Sequence, residues 1–166
     1  MLVLGIDPGT AITGYGLVRE AQDGTLSAAA HGVLTTPTDK PMPERLTLLY
    51  EQLIEVIKLH RPDSSAVEKL FFAKNVKTGI TVGQGRGVIL LALAQAKIPI
   101  TEYAPVEIKQ AVAGYGGADK RQMQEMVRML LNMEEIPKPD DAADALAVAI
   151  THLHSAKMQD IIEREE

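Results

Sequence analysis

Residues 1–7 (MLVLGID) form an apolar run that ends in an acid and the turn pair Pro8-Gly9. A strand buried on both faces reads this way. Residues 13–19 and 28–35 read as two further strands joined through the polar turn at Asp23-Gly24, so the first three predict an antiparallel meander. Leu46, Leu49, Leu53 and Ile57 then recur at helical spacing, between Pro43 and Pro62. A buried strand is predicted over 64–71, a long apolar helix over 78–97, a strand over 98–103 and a short helix over 105–113. Asp119 with Gln122 three residues later marks a helix start, and its apolar face is Met123, Met126, Val127 and Leu130. A last helix is expected from Pro139-Asp140 to about His154. The order βββαβαβ followed by helices predicts an α/β fold, a five-stranded mixed sheet flanked by helices.

At 166 residues the chain suits one domain, taken as 1–156, with an acidic tail over 157–166. Loops are expected near 36–43, 72–78 and 114–118, the last a Gly-Tyr-Gly-Gly stretch read as mobile. Hydrophobic residues make up 46% of the chain, yet no run approaches the roughly 18 apolar residues of a membrane span. No secretory signal is visible, and cysteine is absent, which excludes disulfides, thiolate catalysis and zinc–thiolate sites. A cytoplasmic location is the expectation. The net charge of −5 argues against a nucleic-acid partner until position is considered, because Asp160, Glu163, Glu165 and Glu166 crowd the C-terminus. Lys69, Lys74, Lys77, Arg86, Lys109, Lys120 and Arg121 gather in the middle of the chain, so a basic patch is compatible with an acidic total.

Two acids lie where acids are disfavoured. Asp7 ends the first strand, on the same face as Val3 and Gly5, and Glu68 sits in the apolar strand 64–71. Asp141 and Asp144 share one face of the last helix at i, i+3 spacing. Taken alone, that pair is explained by the helix dipole, with Asp140 as the cap. If all four converge they cannot ionise together without a cation, and Mg²⁺, which seeks oxygen ligands, is the natural one. Two such ions about 3.5–4 Å apart would serve an in-line phosphoryl displacement. Phe71 and Phe72, the chain's two phenylalanines, are adjacent and flanked by Lys69 and Lys74. Successive side chains on an extended strand point oppositely, so one ring is expected to face solvent and stack on bases. Gly79, Gly83 and Gly87 recur every four residues, which would let another backbone approach; a dimer interface is expected there. His31, His152 and His154 read as ordinary structural residues.

GIDPGT at 5–10, VEKLFFAKN at 67–75, GQGRGV at 83–88 and DAADALAVAITHLH at 141–154, in register over nearly the whole chain, resemble the bacterial RuvC resolvases. The resemblance implies a ribonuclease-H-like fold, a homodimer, and Mg²⁺-dependent paired nicking of four-way junction DNA, with Mn²⁺ as a substitute. It implies cooperation with the RuvA–RuvB branch-migration machinery and a cut-site preference. By position it makes Asp7, Glu68, Asp141 and Asp144 the metal-binding catalytic acids and Phe71 the base-stacking aromatic. Lys109 and Lys120 become DNA contacts, and Lys74 and Arg86 join them as expected DNA-facing cations. Asp141 stands where some relatives carry His, and Lys69 where an uncharged polar residue is expected. Three rivals stand beside this reading. GIDPGT also resembles the first phosphate loop of actin-like sugar kinases, although 166 residues cannot supply both of their domains. The others are a junction-binding protein that does not cut, and a related nuclease acting on RNA.

Overall fold

The computed structural model describes residues 1–70 and 76–165, with side chains described through Ala156. Five strands form one mixed sheet: β1 (Leu2–Asp7), β2 (Ile12–Glu20), β3 (Leu26–Thr35), β4 (Ser64–Glu68) and β5 (Ile100–Tyr103), in spatial order β3-β2-β1-β4-β5. β1, β2 and β3 are the antiparallel meander, whereas β4 and β5 add in parallel. Parallel neighbours need crossovers. Helix α1 (Met42–His60) carries the chain to β4, and α2 (Val76–Gln95) carries it to β5. Three helices follow: α3 (Pro105–Ala113), α4 (Lys120–Leu130) and α5 (Asp140–Glu165). The five-stranded mixed sheet and the element order match the reading of the sequence. Two ends differ: β4 closes at Glu68 instead of reaching 71, and α5 continues to Glu165 instead of stopping near His154.

Strand alternation sends neighbouring side chains to opposite faces, so the sheet has two cores. Leu2, Leu4, Ile6, Leu17 and Val67 meet Leu49, Leu53, Ile57, Ile89 and Leu93 of α1 and α2. Val3, Val18 and Ala66 meet Leu146, Ala149, Ile150 and Leu153 of α5, with α3 and α4 beyond it. On this second face α5 comes unusually near. A Cβ on Gly5 would overlap the Ala145 carbonyl and stand 2.6 Å from the Ala149 nitrogen, and one on Gly14 would overlap the Asp141 carbonyl oxygen. Glycine inside a strand commonly marks such close backbone approach. Here it presses the first turns of α5 against the centre of the sheet.

The two histidines of α5 have packing roles. The Tyr103 hydroxyl and His152 Nδ1 are 3.0 Å apart, with their rings edge to face, and His154 Nδ1 lies 3.0 Å from the Ala111 carbonyl. Burial holds His152 below the ordinary histidine value, so it stays neutral.

Candidate active site

The sheet register places the first pair of acids. Ile6 pairs with Val67 across the parallel β1–β4 ladder, and the next residue on each strand is Asp7 and Glu68. Both leave the sheet at the carboxyl ends of their strands, on the face that α5 covers. Their carboxyl groups face one another, close enough for a hydrogen bond. Two carboxylates cannot make that bond unless a proton lies between them. Burial is the first cause and the Glu68 charge the second that push Asp7 from its usual 3.8 up to about 8. Burial also raises Glu68, opposed by the shared hydrogen bond and by the nearby Lys109 charge. The pair therefore retains one proton near neutral pH.

Helix α5 supplies the other two acids. Pressed against Gly14, its first turns bring Asp141 and Asp144 near enough for both charges to act on Asp7. Burial lifts Asp144 to about 6, with Lys120 opposing and Glu68 and Asp141 reinforcing the rise. All four acids are thus in one electrostatic cluster, drawn from β1, β4 and α5. As they stand, no three acids among the described residues are grouped closely enough to hold a metal ion. Burial and mutual repulsion raise Asp7 and Asp144, which a cation beside them would reverse. A buried, mutually repelling set of hard oxygen donors is chemically suited to a divalent ion such as Mg²⁺.

Two open cavities of about 230 Å³ each meet at Glu68. One is lined by Glu68, Lys109, Lys120 and Asp144, the other by Asp7, Glu68, Lys69 and Arg86. The cations expected to touch DNA divide accordingly. Lys109 and Lys120 do stand at the acids. Lys120 Nζ is held 2.8 Å from a carboxylate oxygen of Asp140, which also accepts from Gln124 at 3.0 Å. Asp140 was expected to cap α5; its carboxylate instead serves as the anchor of Lys120. Arg86 departs from expectation. Its guanidinium is mostly covered and paired with Glu102 of β5, and its Nε points to the Glu68 carbonyl at 3.5 Å. It braces the strand ends that carry Glu68 and is not a free cation. Phe71, Phe72 and Lys74 lie outside the described residues.

Reading the sequence missed what holds the acids. The hydroxyl of Thr13 donates to the Gly9 carbonyl at 2.6 Å, closing the turn after Asp7. Thr10 donates to the Thr81 carbonyl of α2 at 2.6 Å, and Thr36 donates to the Thr10 carbonyl at 2.6 Å. Thr10 is buried, so its hydroxyl faces protein and not a nucleotide phosphate, against the kinase-like rival. A signal for the close helix existed: Gly5, Gly14 and Gly16 share one sheet face, and Ala142, Ala145 and Ala149 recur along α5. The expected glycine ridge of α2 behaves differently. Gly85, between the ridge positions, is the residue against Gly9 and Thr10, while Gly87 meets nothing within 4 Å in this chain.

Comparison with known proteins decides the family. The model of the family described as crossover junction endodeoxyribonuclease RuvC matches residues 3–152. The chain belongs to the RuvC family. A RuvC of Chloroflexus aurantiacus is 62% identical over 156 residues, 94% of each chain. The RuvC structure from Thermus thermophilus superposes with a TM-score of 0.89 at 37% identity, over 96% of this chain and 97% of that one. The same Thermus protein solved in complex with Holliday junction substrate gives a TM-score of 0.87 at 34% identity, over 95% and 96% of the two chains. These likenesses carry the ribonuclease-H-like fold of RuvC to this chain.

Proposed function

We propose that this RuvC-family chain is a divalent-metal-dependent endonuclease that resolves four-way DNA junctions by paired nicking in recombination and repair. Family membership supports the reaction class. The observation that supports the site is that Asp7, Glu68, Asp141 and Asp144 lie near enough to act on one another's charge, with Glu68 and Asp144 lining a cleft that Lys109 and Lys120 also line. The four acids would hold the metal, Mg²⁺ first and Mn²⁺ in its place. A bound divalent ion supplies charge neutralisation at phosphate and an activated water. The protein's own residues do the rest. The Thr13–Gly9 bond fixes the turn after Asp7, and the close approach at Gly14 fixes the backbone of Asp141. Lys120 and Lys109 offer ammonium groups to phosphate oxygens at the cleft, and Arg86 keeps the Glu68 strand end in register.

A homodimer with one cleft per strand to be cut suits a two-fold substrate. Val76, Ile80 and Leu91 are exposed at 72%, 56% and 52% and fall on one stripe of α2 with Gly83 and Gly87. That stripe is the surface we assign to the partner copy. Cooperation with the RuvA–RuvB complex and a cytoplasmic location complete the proposal. No described helix is long and apolar enough to cross a membrane.

The test is a synthetic mobile four-way junction with Mg²⁺, beside Asp7→Asn. Paired nicks from the wild type, with binding but no cutting by the variant, are expected. Absence of cutting over a range of junction sequences and divalent metals would overturn the reading.

A further inference from the structure

The loop between α3 and α4 is built more firmly than a Gly-Tyr-Gly-Gly stretch predicts. Gly114 takes a left-handed φ of 84° and its N–H donates to the Gln110 carbonyl at 3.0 Å. A Cβ on Gly116 would stand 2.7 Å from Val106, so the loop lies down on α3. The Tyr115 hydroxyl donates to Gln122 Oε1 at 2.6 Å, and the same oxygen accepts from Asp119 N–H at 2.9 Å. Thus the residue that completes the cap of α4 also pins the tyrosine. The ring remains 48% exposed. It forms one wall of an open groove of about 390 Å³ with Ala113, Met126 and Arg121.

An exposed aromatic ring held at its polar end has few rotamers to lose on contact, which favours stacking. Helix α4 contributes residues to both the groove and the acid cleft. Lys120 turns into the cleft and its neighbour Arg121 into the groove. Of the groove's acids, Glu125 is paired with Arg128 at 3.0 Å and Asp119 accepts from Gln122 N–H. Arg121 has no ion pair among the described residues.

We propose that Tyr115 is a stacking platform for a nucleobase of the DNA arm leading away from the acid cleft, with Arg121 taking the adjacent phosphate. The inference rests on the junction-nuclease reading above and adds a second DNA contact outside the cleft. Its occupant is DNA because the groove pairs an exposed aromatic face with a guanidinium that makes no ion pair among the described residues, one residue from the lysine at the acids.

The experiment titrates full-length protein, with Ca²⁺ in place of Mg²⁺, into four-way junctions carrying 2-aminopurine at successive arm positions. Anisotropy gives affinity, and 2-aminopurine fluorescence reports stacking. Tyr115→Ala is expected to weaken binding about tenfold and to abolish quenching at one arm position. Tyr115→Phe, which keeps the ring, should recover most of the lost affinity, and Arg121→Gln should lower the salt dependence of binding. Thermal melting checks that each variant is folded. Wild-type affinity and quenching in Tyr115→Ala would overturn the proposal. So would equal losses in the Ala and Phe variants, which would make the hydroxyl bond to Gln122 the important feature. If the wild type neither binds nor cuts junctions, the junction reading itself falls and takes this inference with it; if it cuts and Tyr115→Ala matches it, only this inference falls.

Discussion

The two faces of the sheet are built on opposite principles. Toward α1 and α2, Leu4, Ile6, Leu17, Leu49, Leu53, Ile89 and Leu93 are fully buried, and large aliphatic side chains fill the space between the layers. Toward α5, Gly5, Gly14 and Gly16 face Asp141, Ala145, Leu146 and Ala149, and backbones take up the space that side chains fill on the other side. The first arrangement maximises buried apolar area, which stabilises the fold. The second gives up area for proximity, and proximity is what lets carboxylates from two strands and a helix act on one another. A cluster of buried acids is itself unfavourable. The aliphatic face therefore supplies stability that the acid face consumes.

The comparison can be broken most severely at Asp7. Asp7→Asn removes one of the acids without changing its shape, and cleavage in Mg²⁺ is expected to fall by about 10³-fold or more. Junction affinity should persist.

Gly14→Ala attacks the close approach instead. The added methyl has to displace the Asp141 carbonyl, so α5 must shift. Cleavage by the folded variant is expected to drop about 10²-fold, because misplacement of about 1 Å is that costly. Leu53→Ala on the other face should do the reverse. It is expected to cost about 2–5 kcal/mol in thermal or urea unfolding, while cleavage per folded molecule stays within about twofold. Equal loss of activity in the two variants would show that the faces do not divide labour this way.

A pH experiment sharpens the same contrast. Asp7 has its value raised to about 8 in the folded protein, against 3.8 ordinarily. Between those values the folded state binds more protons than the unfolded one, so this group's contribution makes metal-free stability decline as pH rises from about 4 to about 8. Asp7→Asn abolishes that decline. In EDTA at pH 8 the variant is expected to melt about 4–8 °C higher than the wild type, equivalent to about 2 kcal/mol. Mg²⁺ should reverse the order by stabilising only the wild type. Metal affinity should climb with pH through the same range, as Asp144, raised to about 6, and then Asp7 release their protons.

The smallest effect is expected far from both faces. Lys58 pairs with Glu55 at 3.3 Å on the exposed side of α1, with about 68% and 75% of the two side chains exposed. Lys58→Ala should change stability by less than about 0.5 kcal/mol and leave cleavage alone.

How much was legible beforehand varied with the range of the interactions. Strand alternation placed Asp7 with Val3 and Gly5, and helical spacing put Asp141 and Asp144 on one face, because both periods are local properties of the backbone. Asp119 and Gln122 announced the start of α4 for the same reason, and both capping bonds are present at 2.9 Å. Asp140 misled, since its carboxylate pairs with Lys120, which is remote in sequence, while the N–H groups of Ala142 and Ala143 donate to the Pro139 carbonyl. Arg86 misled similarly: nothing in GQGRGV reveals that Glu102 on β5 neutralises it.

The sequence alone determined the element order, the mixed five-stranded sheet, which acids stand in disfavoured positions, and the family. These follow from periodicity, turn residues and motifs that act within a few positions or match in register. Only the tertiary structure decided that Asp7 and Glu68 are buried side by side, that Gly14 admits the start of α5, and which cations face the acids. Each of those depends on the distance between segments separated along the chain. Charge and burial act through space, so their outcome is settled only when the layers have packed.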